Sequence, residues 1–159
     1  MRIGQSTDIH QLTETRPLIL GGVEIDSDLG LLGHSDADVL THVIMESILG
    51  ALALGDLGKH FPDTDPKYKG SRSTDLLKEV VKLMKEKGYQ IVNLDSLVII
   101  EKPKLSPYLE AMKEILCPLL EIEFNQINIK ATRGEKMGYI GRREGVMAQC
   151  VVLLEERKR

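Results

Sequence analysis

Apolar residues recur along the chain in two rhythms. From Asp36 they fall three and four apart, at Val39, Leu40, Val43, Ile44, Ile48 and Leu52, which predicts a helix that stops at Gly55. The same spacing at Leu76, Leu77, Val80, Val81 and Met84 predicts a second helix, capped by Ser73 or Asp75, reaching Lys87 and ended by Gly88. Ser106-Pro107 reads as an N-cap followed by proline in the first turn, opening a third helix to about Leu116. Elsewhere the period is two. Arg2 to His10 runs extended, Leu18–Leu20 and Val23–Ile25 flank Gly21-Gly22 as a two-residue hairpin, and Ile91 to Ile100 is apolar and β-rich. Ile127 to Thr132 alternates, and Gly145 to Leu154 places Val146, Ala148, Cys150 and Val152 on one face. Gly30 to Ser35 and the turn-rich stretch Gly55 to Gly70 are expected as loops, and Glu155 to Arg159 as a solvated tail. The pattern predicts an α+β fold: one mixed β-sheet of about four main strands with helices packed on one face.

A chain of 159 residues fits a single domain, 1–159, with room for a core that needs no disulfide. Lys and Arg number 21 against 24 Asp and Glu, a net charge of −3, so no basic field is present to hold a nucleic-acid backbone. The absence of Trp also removes a base-stacking platform. Val43 to Leu54, the longest apolar stretch, carries Glu46 and is too short to span a bilayer, so no membrane role is expected. Cys117 and Cys150 form no C-x-x-C and are expected as reduced core thiols of a cytoplasmic protein. An anionic substrate would therefore need something other than Lys and Arg to neutralise it.

Candidate chemistry is scattered along the chain. Asp8-Ile9-His10 puts two ligand-type side chains on one face of an extended segment, and His42 on the first helix offers a third. One carboxylate and two imidazoles leave a coordination position open, which suits catalytic zinc and equally the arrangement of non-haem iron. Taken alone, the same residues also fit ordinary core and surface roles. His34-Ser35-Asp36-Ala37-Asp38 lies at a helix start, where free N–H groups favour anions, and Asp36 reads equally well as the N-cap. Asp56, Asp63 and Asp65, in a loop shaped by glycine and proline, suit either polyol hydroxyls or local Asx-turns. Lys102-Pro103-Lys104 suits phosphate or a surface turn, and Thr132-Arg133-Gly134-Glu135-Lys136 gathers hydroxyl, guanidinium and carboxylate at a strand end. Gly138, Gly141 and Gly145 form no G-x-G-x-x-G, and no P-loop or G-x-S-x-G is present.

Together, Arg2-Ile3-Gly4, Asp8-x-His10, Gly21-Gly22-Val23, His34-Ser35-Asp36-Ala37-Asp38-Val39 with His42, Gly55-Asp56-x-Gly58-Lys59, Phe61-Pro62-Asp63-Thr64-Asp65, Pro103-Lys104, Lys130-Ala131-Thr132 and Glu135-Lys136-x-Gly138 with Gly141-Arg142 closely resemble the 2-C-methyl-D-erythritol 2,4-cyclodiphosphate synthase family. The resemblance spans essentially the whole chain. It implies conversion of 4-diphosphocytidyl-2-C-methyl-D-erythritol 2-phosphate into the cyclic diphosphate and CMP, on the non-mevalonate route to isoprenoids. It implies zinc on Asp8, His10 and His42, and Mg²⁺ or Mn²⁺ on Glu135 with the substrate diphosphate. His34 and Arg133 take the catalytic positions, and His34 and Ser35, beside Asp8 and His10, face phosphate oxygens. By the same resemblance Asp56, Leu57, Gly58 and the run Phe61, Pro62, Asp63, Thr64, Asp65 hold the methylerythritol. Ile100, Pro103, Lys104, Leu105 and Ser106, with Ala131 and Thr132, hold cytidine and phosphate, continued by Arg133, Gly134 and Glu135. Tyr139 and Arg142 match substrate-side positions near the axis of a homotrimer. Its active sites would lie between subunits, and its central cavity is a candidate for an isoprenoid diphosphate. Two departures stand out: Arg133 where the family usually has Thr, and Gln5-Ser6 where it commonly has an aromatic or His followed by Gly. A metal-dependent phosphohydrolase and a non-catalytic binding module are the rival readings.

Overall fold

The structure, a computed structural model, describes residues 1–157. Five strands form the main sheet in the order β4 (Gly30–Leu31), β1 (Arg2–Thr13), β7 (Gly145–Glu156), β5 (Tyr89–Ile99), β6 (Ile127–Thr132). All pairs are antiparallel except β5–β6, which is parallel. A parallel pair needs a crossover, and here it is supplied by α4 (Leu109–Leu120). The hairpin β2 (Leu18–Leu20) and β3 (Val23–Ile25) stands apart as its own two-stranded sheet. Gly21 and Gly22 both take positive φ in its turn, the primed geometry that matches strand twist.

One face of the main sheet is covered. Helix α1 (Val39–Ala51) packs on β1 and β7, and α3 (Ser73–Glu86) packs on α1, α4 and β5. Helix α1 is buried almost all round, because the sheet lies below it and α3 beside it. Helix α3 buries only the stripe Ser73, Leu77, Val80, Val81 and Met84. A single cluster of buried apolar side chains runs from Leu12 to Leu154 between sheet and helices. Contact between β1 and α1 is closest at Gly4, where a Cβ would lie 1.8 Å from the Ser47 carbonyl oxygen.

Among the described residues none of the longer helices packs on the other face of the sheet. Along β1 the alternation puts Ile3, Gln5, Thr7 and Ile9 there, opposite Leu153, Val151, Gln149 and Met147 of β7. Ile3 is 73% exposed and Ile9 and Val151 about half. An open face that mixes apolar and polar rows is unusual for a strand set otherwise so well buried.

Several boundaries differ from expectation. Helix α1 begins at Val39 rather than Asp36, because Ala37 is left-handed and Asp38 is the N-cap, its carboxylate accepting from the Thr41 N–H at 3.0 Å. The helix ends at Ala51, before Gly55, with left-handed Ala53 beyond it. Neither Ser73 nor Asp75 caps α3: Ser73 is its first residue, and its N–H donates to Asp36 Oδ2 at 3.1 Å. Ser106 and Pro107 open a short 3₁₀ turn, Ser106–Tyr108, with no side-chain cap, and α4 runs four residues past Leu116. The loop from Gly55 to Gly70 contains α2 (Leu57–His60) and a 3₁₀ turn at Pro66–Tyr68. Glu155 and Glu156 continue β7 rather than a tail, and the Arg157 N–H donates to the Gly88 carbonyl. The rest of the expected tail, Lys158 and Arg159, lies outside the described residues.

A candidate metal centre and two cavities

Strand β1 and helix α1 run in opposite senses against each other, and their facing residues build the site. His10 meets Ala37, Asp8 meets His42, Ser6 meets Glu46, and Gly4 meets Ser47 and Ala51. The hydrogen bonds around the two imidazoles fix their tautomers. His10 Nδ1 lies 2.9 Å from the Ala37 carbonyl oxygen, which only accepts, so Nδ1 carries the hydrogen. Ser73 Oγ donates to Asp36 Oδ1 and therefore accepts from His42 Nε2 at 3.0 Å. Ser35 Oγ, 3.2 Å from the same nitrogen, already accepts from the Ala37 N–H.

Both imidazoles thus turn a bare nitrogen toward Asp8. His10 Nε2 lies 2.9 Å and His42 Nδ1 3.6 Å from Asp8 Oδ2. Burial opposes ionisation of Asp8, but a proton taken up on the facing nitrogens of His10 and then His42 outweighs burial and holds the carboxyl well below the usual carboxylate range. Lone pairs that face a carboxylate at such distances repel unless a cation or proton lies among them. One ligand atom from each of the three residues lies within 4.8 Å of the others, so Asp8, His10 and His42 could hold a metal ion. The supporting shell is present as well, since Ala37 orients His10, and Asp36 orients His42 through Ser73. Asp36 is therefore not the N-cap of α1.

This group opens on a cavity of about 280 Å³ whose walls also include His34, Ser35, Leu57, Phe61 and Asp63. The Arg16 guanidinium holds the Gly33 and Ser35 carbonyls at its rim. Asp56 and Asp65 do not line the cavity. Each caps a local turn, accepting from the Lys59 N–H at 3.0 Å and the Lys67 N–H at 2.9 Å. Gly58, Pro62 and Thr64 also stand outside the lining. Met45, Glu46, Tyr68 and Leu76 complete it, none of them anticipated as site residues. Glu46 had one visible signal, as the lone charge in the longest apolar stretch.

A second cavity, about 190 Å³, gathers Ile100, Pro103, Lys104, Leu105 and Ser106 with Ala131, Thr132 and Arg133. Glu135 is not brought to the Asp8 group; it lies exposed and left-handed in the turn after β6. That turn hangs on Glu101, whose Oε2 accepts from the Gly134 N–H at 3.0 Å and the Lys136 N–H at 3.5 Å. Tyr139, in the short helix α5 (Gly138–Gly141), buries its hydroxyl without a partner among the described residues. Arg142 is paired with Glu144 at 2.7 Å on the surface.

The two cavities lie at opposite edges of one row. Asp8 pairs with Ala148, Ala148 with Val98, and Val98 with Ala131, so three strand spacings of ~4.8 Å separate the centre from the second cavity. Ala148 and Val98 between them are fully buried.

The chain matches the YgbB family model over residues 1–155. It is similar to 2-C-methyl-D-erythritol 2,4-cyclodiphosphate synthase of Clostridium acetobutylicum, 58% identical over 154 residues that cover 97% of this chain and 99% of that one. Its fold is similar to the bifunctional IspDF from Campylobacter jejuni, with a TM-score of 0.93 and 41% identity over 98% of this chain but 42% of that longer one. It is also similar to IspF of Plasmodium falciparum in a CDP complex, with a TM-score of 0.87 and 35% identity over 99% and 97% of the two chains.

Proposed function

Since the chain belongs to the YgbB family and is a cyclodiphosphate synthase of the non-mevalonate isoprenoid pathway, we propose how its residues divide the work. The substrate is 4-diphosphocytidyl-2-C-methyl-D-erythritol 2-phosphate. An oxygen of its 2-phosphate attacks the β-phosphorus, the bond from that phosphorus to the α-bridging oxygen breaks, and CMP leaves with the electron pair. The substrate thus brings its own nucleophile, and the enzyme's task is positioning and charge stabilisation.

The first cavity takes the methylerythritol end. Asp8, His10 and His42 would hold zinc, and Glu135 with the substrate diphosphate Mg²⁺ or Mn²⁺, the two ions polarising phosphoryl oxygens and offsetting the charge that a protein of net −3 does not. The donor set fits zinc by its chemistry, and a lone carboxylate sharing an ion with phosphates fits magnesium. His34 and Ser35 at the rim meet phosphate oxygens, and Leu57, Phe61 and Asp63 enclose the polyol. The second cavity takes cytidine and the α-phosphate through Lys104, Ala131 and Thr132, with Arg133 toward the transferring phosphoryl group. The CDP complex of the Plasmodium falciparum relative supports binding of a cytidine nucleotide by this family.

The buried Ala148–Val98 row separates the two cavities within one chain. We therefore propose a single-domain subunit of a homotrimer in which the first cavity of one copy meets the second of its neighbour. The open sheet faces would turn inward around a central cavity able to take an isoprenoid diphosphate. A cytoplasmic location fits this reading, and no helix among the described residues is long and apolar enough to cross a membrane.

The convergence of two bare imidazole nitrogens on the Asp8 carboxylate carries the proposal. Zinc-loaded protein given Mg²⁺ and the authentic substrate is expected to release CMP and the cyclic diphosphate, identified by mass, from a species of about three times 17.8 kDa. Release of inorganic phosphate instead would identify a phosphohydrolase, and binding of metal without turnover a binding module.

A further inference from the structure

Helix α1 is buried nearly all round, yet it keeps two ionisable side chains half-buried on one stripe, His42 and Glu46, one turn apart. His42 belongs to the metal group; Glu46 does not, yet it lines the same cavity. A carboxylate in so apolar a helix costs stability unless its oxygens are occupied. One of them is: Ser6, 7% exposed, stands two residues before Asp8 on the helix-facing side of β1 and donates to Glu46 Oε2 at 3.2 Å. Among the described residues no hydrogen bond or ion pair engages Oε1. Ser6 is one of the two residues at which the opening strand departs from the family resemblance.

We propose that Glu46, oriented by Ser6, is a specificity-determining residue that accepts a hydrogen bond from a free hydroxyl of the substrate's polyol. The assignment rests on the cyclase reading given above. A carboxylate accepts only, so its cavity partner must be a donor, and a phosphate oxygen at neutral pH would be repelled. Around Glu46 the wall is apolar, with Met45, Leu57, Phe61 and Leu76, which suits the carbon chain and methyl group of a branched polyol. Two hydroxyls of such a substrate, on C1 and C3, carry no phosphate and are the donors available. Ser6 takes one oxygen of Glu46 and so fixes where the other points.

Kinetics of the zinc-loaded, Mg²⁺-supplied enzyme test this. Glu46→Ala and Glu46→Leu, neither of which can accept from a hydroxyl, are expected to raise KM by about ten-fold or more, the worth of one charge-assisted hydrogen bond, while zinc content and CDP affinity stay as in the unmodified enzyme. Ser6→Ala should raise KM in the same direction by a smaller factor. Analogues lacking the C1 or the C3 hydroxyl decide the contact: one of them should lose about ten-fold in kcat/KM on the unmodified enzyme and lose nothing more on Glu46→Ala. An unchanged KM in Glu46→Ala, or equal analogue losses in both enzymes, would overturn the proposal. So would zinc lost from Glu46→Ala as from a ligand variant, which would make Glu46 a support of the metal. If Glu46→Ala does not fold, Glu46→Leu, which fills similar space and cannot accept from a hydroxyl, gives the same decision with the same analogues. Failure of the unmodified enzyme to release CMP, by contrast, sinks the cyclase reading itself.

Discussion

His42→Ala is expected to strip the metal from the purified protein and to lower turnover by about a thousand-fold or more, while leaving the fold in place. Two ligands, Asp8 and His10, would remain, and His10 would still be held by the Ala37 carbonyl. Asp8 would lose one of its two imidazole neighbours, and a two-ligand site retains a divalent ion poorly. A loss of three decades corresponds to about 4 kcal/mol of transition-state stabilisation, within what a metal supplies to a phosphoryl oxygen. The fold should persist, because the buried surface of α1 lies on its other sides. Metal analysis and CMP release on the same preparation check both halves, with circular dichroism as the control. Stoichiometric metal in His42→Ala would show that the ligand set has been drawn wrongly.

The largest stability effect is expected at Asp38, which is fully buried. Its Oδ1 accepts from the Gly21 N–H at 2.9 Å and the Thr41 N–H at 3.0 Å, and its Oδ2 from the Gly22 N–H at 2.8 Å and the Thr41 hydroxyl at 2.7 Å. Burial pushes its carboxyl above the ordinary range, and these bonds act against that. One side chain therefore caps α1 and ties the β2–β3 turn to it. Asp38→Ala orphans all these donors and should cost about 4 kcal/mol, lowering Tm by about 10 °C. Asp38→Asn should cost about half as much. Its oxygen can serve Gly21 and Thr41, and the Thr41 hydroxyl can turn to accept from the new amide, so only the Gly22 N–H is left facing a donor. Thermal melts of the two variants would check the order, and equal losses would refute this accounting.

How much of this was readable from the chain follows the range of each interaction. The helices and long strands were visible because burial imposes a period, and Asp8-x-His10 was visible because neighbours two apart on a strand share a face. The start of α1 is not set by the local sequence, because Asp36 and Asp38 are two apart and equally good caps. What decides between them is remote: the hairpin turn claims Asp38, and Ser73 claims Asp36. The aspartates of the 55–70 loop could not be ranked either, since an Asx cap and a cavity wall draw on the same residue type. In the sequence Glu46 stands out only as a charge. Its place beside the metal group depends on α1 lying antiparallel to β1, which no local pattern records.

The row from Asp8 to Ala131 has a genetic consequence. If a substrate reaches only the metal cavity of one copy and the Lys104 cavity of the next, then a chain without His42 still lends its neighbour a sound nucleotide half. A chain without Lys104 likewise lends a sound metal half. Each defective chain alone would be silent, yet the two expressed together would rebuild working sites, so lesions in this one polypeptide would sort into two groups that complement each other as if they were two genes.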